Sequence, residues 1–101
     1  MLESIYELCL SEELRRNNLQ IENQVSIPLQ YKGLELSKDF KIDILVEGEI
    51  IIEIKAVESI LPVHNAQIIS YLRLTDKRLG FLVNFNVPLL KNGFKRFVNN
   101  F

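Results

Sequence analysis

The sequence predicts an α/β fold of the α+β kind, a mixed sheet flanked by helices in the order α-β-β-β-α-β-α. Three observations predict it. Residues 2–17 carry apolar side chains at spacings of three and four. Residues 40–46 and 50–56 alternate strictly about a short loop. A helical stretch at 62–77 then separates the second of these strands from another apolar strand at 79–85, and a helix between two strands implies that they run parallel.

Each element has its own local cause. In the first helix Leu2, Ile5 and Cys9 form one stripe, and Tyr6, Leu10 and Leu14 an adjacent one. Arg15 and Arg16 suit the negative end of the helix dipole, and Asn17-Asn18 can end it. Val25, Ile27, Leu29 and Tyr31 alternate, which predicts a strand over 24–31, with Pro28 marking an edge position or a bulge. Lys32-Gly33 reads as a turn, and Leu34 and Leu36 as a short continuation. Pro62 can open the second helix at its first position. A short helix over 89–98, weakened by Gly93, is expected to close the chain.

Composition sets the bounds. The 101 residues suit one domain, and 48% of them are hydrophobic, too many for a disordered chain. The longest run of isoleucines, Ile50-Ile51-Ile52, falls far short of the ~18 apolar residues of a membrane helix. No secretory leader is visible, and one cysteine forms no internal disulfide, so a reducing, cytoplasmic setting is expected. Cys9, on its stripe, reads as a small buried hydrophobe. With 12 basic and 13 acidic side chains the chain is no polybasic nucleic-acid binder. It has one histidine and four widely spaced glycines, which leaves no nucleophilic triad and no phosphate loop to propose.

The informative stretch is 40–56. The even positions of both strands are apolar, so they face the core. The even sets share a face if the hairpin has the three-residue loop Glu47-Gly48-Glu49. Val46 then pairs with Ile50, Ile44 with Ile52, and Ile42 with Ile54. On the other, solvated face Asp43 stands across from Glu53, with Lys55 two residues on and Lys41 opposite Lys55. Opposed like charges destabilise a sheet by about 0.2–1 kcal/mol. A divalent cation between the carboxylates turns that repulsion into chelation. The plainer alternative is two solvated acids on an exposed face.

Asp43, nine residues, then Glu53-Ile54-Lys55 resembles the Asp…(Asp/Glu)-x-Lys signature of the PD-(D/E)XK nuclease superfamily. The element order is similar to the restriction-endonuclease-like core. Gln67-x-x-x-Tyr71 resembles the Gln-x-x-x-Tyr motif of the RecB-type exonuclease branch. Glu3-Ser-Ile-Tyr6 resembles the latter part of the motif that names the GxxExxY protein family, as do Lys55-Ala-Val-Glu58, Pro62-Val-His64-x-x-Gln67 and Val83-Asn-Phe-Asn-Val-Pro88. The chain reads as a single nuclease-like domain, 1–101; that family's glycine would fall one position before Met1, which reads as either a trimmed N-terminus or a start codon placed late.

The resemblance implies a metal-dependent phosphodiesterase acting on DNA in preference to RNA. The other reading is a catalytically inactive nuclease fold that binds nucleic acid or protein. Asp43 and Glu53 would be direct ligands of Mg²⁺ or Mn²⁺, with the Ile54 carbonyl as a third oxygen and Glu3 holding the metal through a water. Lys55 would orient the attacking water or stabilise the charged transition state. Gln67 and Tyr71 would orient the lysine or a phosphate; a half-buried polar pair is the structural alternative. His64 and Lys41 are candidates for phosphate contact, and a helix-start histidine with a purely structural role is the alternative for the first. Weak binding to nucleic acid by the isolated domain, no membrane association and a homodimer complete the expectations.

Overall fold

The structure is a computed structural model of the chain, and it describes residues 2–27, 30–31, 34–35, 40–87 and 90–99. The elements are α1 (Leu2–Arg16), β1 (Ile21–Ser26), β2 (Gln30–Tyr31), β3 (Leu34–Glu35), β4 (Lys41–Val46), β5 (Ile50–Lys55), α2 (Pro62–Thr75), β6 (Leu79–Asn84) and β7 (Phe94–Val98), with a 3-10 turn over Leu90–Gly93 before β7. Five strands form a mixed sheet in the order β1-β4-β5-β6-β7. Among the described strands only β5 and β6, the pair joined through α2, run parallel. The little β2–β3 ribbon pairs Tyr31 with Leu34, and the predicted turn at Lys32-Gly33 falls outside the described residues. Pro28 does so too, and the predicted strand 24–31 is replaced by β1, which starts three residues earlier.

The central hairpin forms as its alternation requires. Val46 pairs with Ile50, Leu45 with Ile51 and Ile44 with Ile52 around a three-residue turn. Glu47 and Gly48 both take positive φ in that turn (54° and 66°), which glycine adopts without strain.

Both faces of the sheet are covered. On the α1 side Ile44, Val46, Ile52, Ile54 and Val83 pack with Tyr6, Leu10 and Leu14. On the α2 side Ile42, Leu45 and Ile51 pack with Ile68, Tyr71 and Leu72. The odd positions of β4 and β5 are therefore not a solvated face: α2 buries Leu45 and Ile51, and Glu53 with them at 2% exposure. A run in which nearly every residue is apolar is what a doubly covered strand needs.

On α1 the stripe that packs is Tyr6, Leu10 and Leu14. The other stripe faces outward: Leu2 and Ile5 are about half exposed and Cys9 is exposed, not buried. The helix has one covered side, and two adjacent stripes compete for it. Asn18, in the left-handed region at φ 64°, ends α1 as the asparagine pair suggests.

The last element is a strand and not the expected helix. Phe94-Lys-Arg-Phe97-Val98 is compatible with either period, and the open edge of β6 decides between them by offering a ladder of unpaired backbone groups. β7 fills it, pairing Gly80 with Phe97 and Leu82 with Lys95. Gly93 permits the approach: a Cβ there would lie 2.0 Å from the Asn84 carbonyl oxygen.

Candidate active site

β4 and β5 part company at the residues that matter. Their ladder ends at Ile44 and Ile52. Beyond it β4 stays with β1, where Val25 pairs with Ile42 and Ser26 with Lys41. β5 stays with β6 through Lys55 and Asn84. The expected pairs Ile42–Ile54, Asp43–Glu53 and Lys41–Lys55 therefore do not form as backbone pairs. Side chains fill the opening instead. The Asp43 amide donates to Glu53 Oε1 at 3.4 Å, and the Ile54 amide donates to Asp43 Oδ2 at 2.8 Å. The two carboxyl groups are close enough to hydrogen-bond to each other.

The alternation of faces also breaks at this point. Ile44 packs toward α1 but Ile42 toward α2. On β1 Ile21 packs toward α1 and Val25 toward α2. The switch falls on the facing residues Gln24 and Asp43, and Gln24 carries a positive φ of 51°.

Electrostatics set this centre apart. Burial, and then the neighbouring Asp43 carboxylate, push the Glu53 carboxyl up from 4.5 to about 9, against the milder pull of Lys55. At neutral pH the pair therefore holds a proton where a cation would sit. A buried glutamic acid set against a half-buried aspartate, with Lys55 nearby, is an oxygen donor set that fits a hard divalent ion. Among the described residues no group of three or more His, Cys, Asp or Glu side chains gathers as a metal cluster. Asp43 and Glu53 would have to be completed by backbone oxygen, such as the Ile54 carbonyl, and by water.

The other expected residues reach the centre unevenly. Glu3 of α1 arrives at the end of β5, where its Oε2 accepts from the Ala56 amide at 3.2 Å. Tyr71 of α2 is 3% exposed and accepts from Gln67 Nε2 at 3.0 Å. Burial raises the Tyr71 hydroxyl above its ordinary value, and the Glu53 and Asp43 charges add to this, so α2 brings this pair to the carboxylates. His64 spends its Nδ1 on the Leu61 amide at 2.9 Å, closing the first turn of α2. The Lys41 side chain is exposed at the start of β4.

Sequence reasoning did not find three of the polar residues here. Gln24 Nε2 donates to Asp43 Oδ1 at 3.2 Å and to Glu7 Oε1 at 2.7 Å. Asn84, 5% exposed, clamps the chain just past Lys55: it donates to the Val57 carbonyl at 2.8 Å and accepts from the Val57 amide at 3.1 Å. A polar residue closing the apolar run Leu82-Val83-Asn84 was the available signal for it. Nothing comparable marks Gln24 or Glu7, because the β1–β4 register is not readable across a 14-residue connection (residues 27–40).

A sequence model of the PD-(D/E)XK nuclease superfamily matches residues 1–97. The chain belongs to the PD-(D/E)XK nuclease superfamily. Its mixed five-strand sheet with two helices, in the order α-β-β-β-α-β-β, is the restriction-endonuclease-like fold. A solved structure, "Crystal structure of SSO0001", matches with a TM-score of 0.70 at 25% sequence identity, over 99% of this chain and 51% of that one. The chain thus spans about half the length of that protein. No curated protein matches. PD-(D/E)XK nucleases usually use divalent metals, in keeping with the Asp43–Glu53 pair. No helix among the described residues is long and apolar enough to cross a membrane.

Proposed function

We propose that the chain is a Mg²⁺- or Mn²⁺-dependent phosphodiesterase that hydrolyses nucleic acid, DNA in preference to RNA, with Asp43, Glu53 and Lys55 as its catalytic residues. The observation that carries the reading is the buried Glu53 carboxyl set against Asp43 where β4 and β5 separate. A structural sheet position has no use for such a pair, and its desolvation is unfavourable until a cation joins it.

Asp43 and Glu53 would hold the ion. Bound there, a divalent cation supplies Lewis acidity: it neutralises charge on a phosphate and makes water a stronger acid. Lys55 closes β5 beside Glu53, where its ammonium group can steady charge that develops on the phosphate. Tyr71 and Gln67, bonded to each other, keep the α2 side of the centre polar and ordered. Asn84 fixes the strand end that carries Lys55. Glu3-x-x-Tyr6, with Tyr6 stacked on Phe85 at 4.4 Å between ring centres, supports a place in the GxxExxY group.

The test is cleavage of linear and supercoiled DNA, and of RNA, by purified protein with Mg²⁺ or Mn²⁺. Cleavage lost in Asp43→Ala and Lys55→Ala, both folded by circular dichroism, supports the proposal. Equal cleavage by wild type and both variants, or none by folded wild type, contradicts it.

A further inference from the structure

One residue in the centre lies on a backbone it should not favour. Gln24 has φ 51°, a conformation that a side chain with a Cβ enters at a cost and that glycine, asparagine and aspartate enter more easily. The residue count stays matched on either side, since Asn23 pairs with Ile44 and Val25 with Ile42, while Gln24 and Asp43 drop out of the ladder. No extra residue forces the twist, so the conformation is not a bulge. Its visible consequence is where the carboxamide goes. A single nitrogen, Nε2, reaches Glu7 Oε1 at 2.7 Å and Asp43 Oδ1 at 3.2 Å.

The surroundings make α1 an anchor for that amide. Glu7 is also held through Oε2 by Asn23 Nδ2 at 3.0 Å, and the same nitrogen donates to the buried Ser11 hydroxyl at 2.8 Å. Asn23 Oδ1 in turn accepts from Arg15 at 3.0 Å. The Asp43 carboxylate is thereby gripped at both oxygens, by Gln24 on Oδ1 and by the Ile54 amide on Oδ2. The donor on Oδ1 is neutral and stands between two carboxylates, a place where a third acid would repel both and a lysine would compete with a cation.

We infer that Gln24 is a positioning residue for the metal centre: its carboxamide, carried on a left-handed backbone, ties Asp43 to Glu7 of α1 and holds the Asp43 carboxylate in one orientation. The metal role of Asp43 rests on the proposed function, but the orientation does not. Persistent backbone strain is characteristic of sites where geometry is held for a purpose.

Two variants test it. Gln24→Met keeps the length and removes both donors. Gln24→Gly removes the donors and the strain together. The first readout is metal-free: amide hydrogen exchange at Ile54, whose acceptor is Asp43 Oδ2. Both variants are expected to speed exchange at Ile54 by about three- to tenfold, the range for loss of one ordinary hydrogen bond, with Ile52 unchanged. Gln24→Gly is expected to unfold at the same or a higher temperature than wild type despite this. The second readout is calorimetric titration with Mn²⁺ alone, where the same loss of orientation should weaken binding about three- to tenfold. Unchanged Ile54 exchange in both variants overturns the inference, as does a Gln24→Gly protein that loses protection at Ile52 and Ile54 alike. Faster Ile54 exchange in the variants, together with a wild type that binds no Mn²⁺, leaves the orientation established and overturns the proposed function instead.

Discussion

Replacing Glu53 with glutamine should make the metal-free protein more stable at neutral pH while removing its capacity for metal. The carboxyl titrates at 4.5 when free and at about 9 in the fold, raised first by burial and then by Asp43. Between those values the folded chain binds a proton that the unfolded chain does not, so stability falls as pH rises, by about 1.4 kcal/mol per unit. From pH 4.5 to pH 7 that amounts to about 3 kcal/mol lost from this one group. Glutamine has the shape of the protonated acid and does not titrate. The difference in unfolding free energy, Glu53→Gln minus wild type, should therefore grow from near zero at pH 4.5 to about 3 kcal/mol at pH 7 and keep growing toward pH 9. Urea denaturation in chelator at four or five pH values measures it. Adding Mn²⁺ at a hundred times its dissociation constant should then restore about 2.7 kcal/mol to wild type and nothing to the variant. A difference that is flat across pH, or a variant less stable than wild type throughout, would mean that Glu53 binds no extra proton in the fold.

Other outcomes follow from single contacts. Gly93→Ala drives a methyl group into the Asn84 carbonyl; it should lower stability by about 1–3 kcal/mol in thermal unfolding and reduce cleavage by loosening the strand end that carries Lys55. Ile51→Ala, in the α2-side core at 0% exposure, should cost about 2–5 kcal/mol in urea denaturation. Lys55→Ala should leave Mn²⁺ titration heats in place while lowering the cleavage rate by about 10²-fold or more, whereas Asp43→Ala should remove both. Tyr71→Phe, which takes the hydroxyl from Gln67, should slow cleavage by less than Lys55→Ala does in the same assay.

The central hairpin was legible because a period of two admits only an odd loop once both apolar sets must share a face, and three residues fit. The α2 crossover was legible from Pro62 and from a helical stretch lying between two apolar strands. What alternation could not show was where it stops. It placed Asp43 and Glu53 side by side, correctly, but on a wet face; α2 covers that face, and the backbone ladder opens where the acids meet. The opening coincides with the positive φ at Gln24, on a strand whose pairing depends on a long connection. The last strand was missed for a related reason: Phe94, Phe97 and Val98 satisfy a helix locally, and only the vacant edge of β6 selects the strand. Cys9 and Ile5 were misplaced because a stripe on a helix shows amphipathicity without showing which of two stripes is covered.

The proposed chemistry requires one divalent cation held by Asp43 and Glu53 together. Crystals soaked in Mn²⁺ and measured near the manganese absorption edge test it directly. The prediction is one anomalous peak within coordination distance of both carboxyl groups, with the proton displaced from Glu53. A fully soaked crystal whose only peaks lie elsewhere on the protein would contradict it.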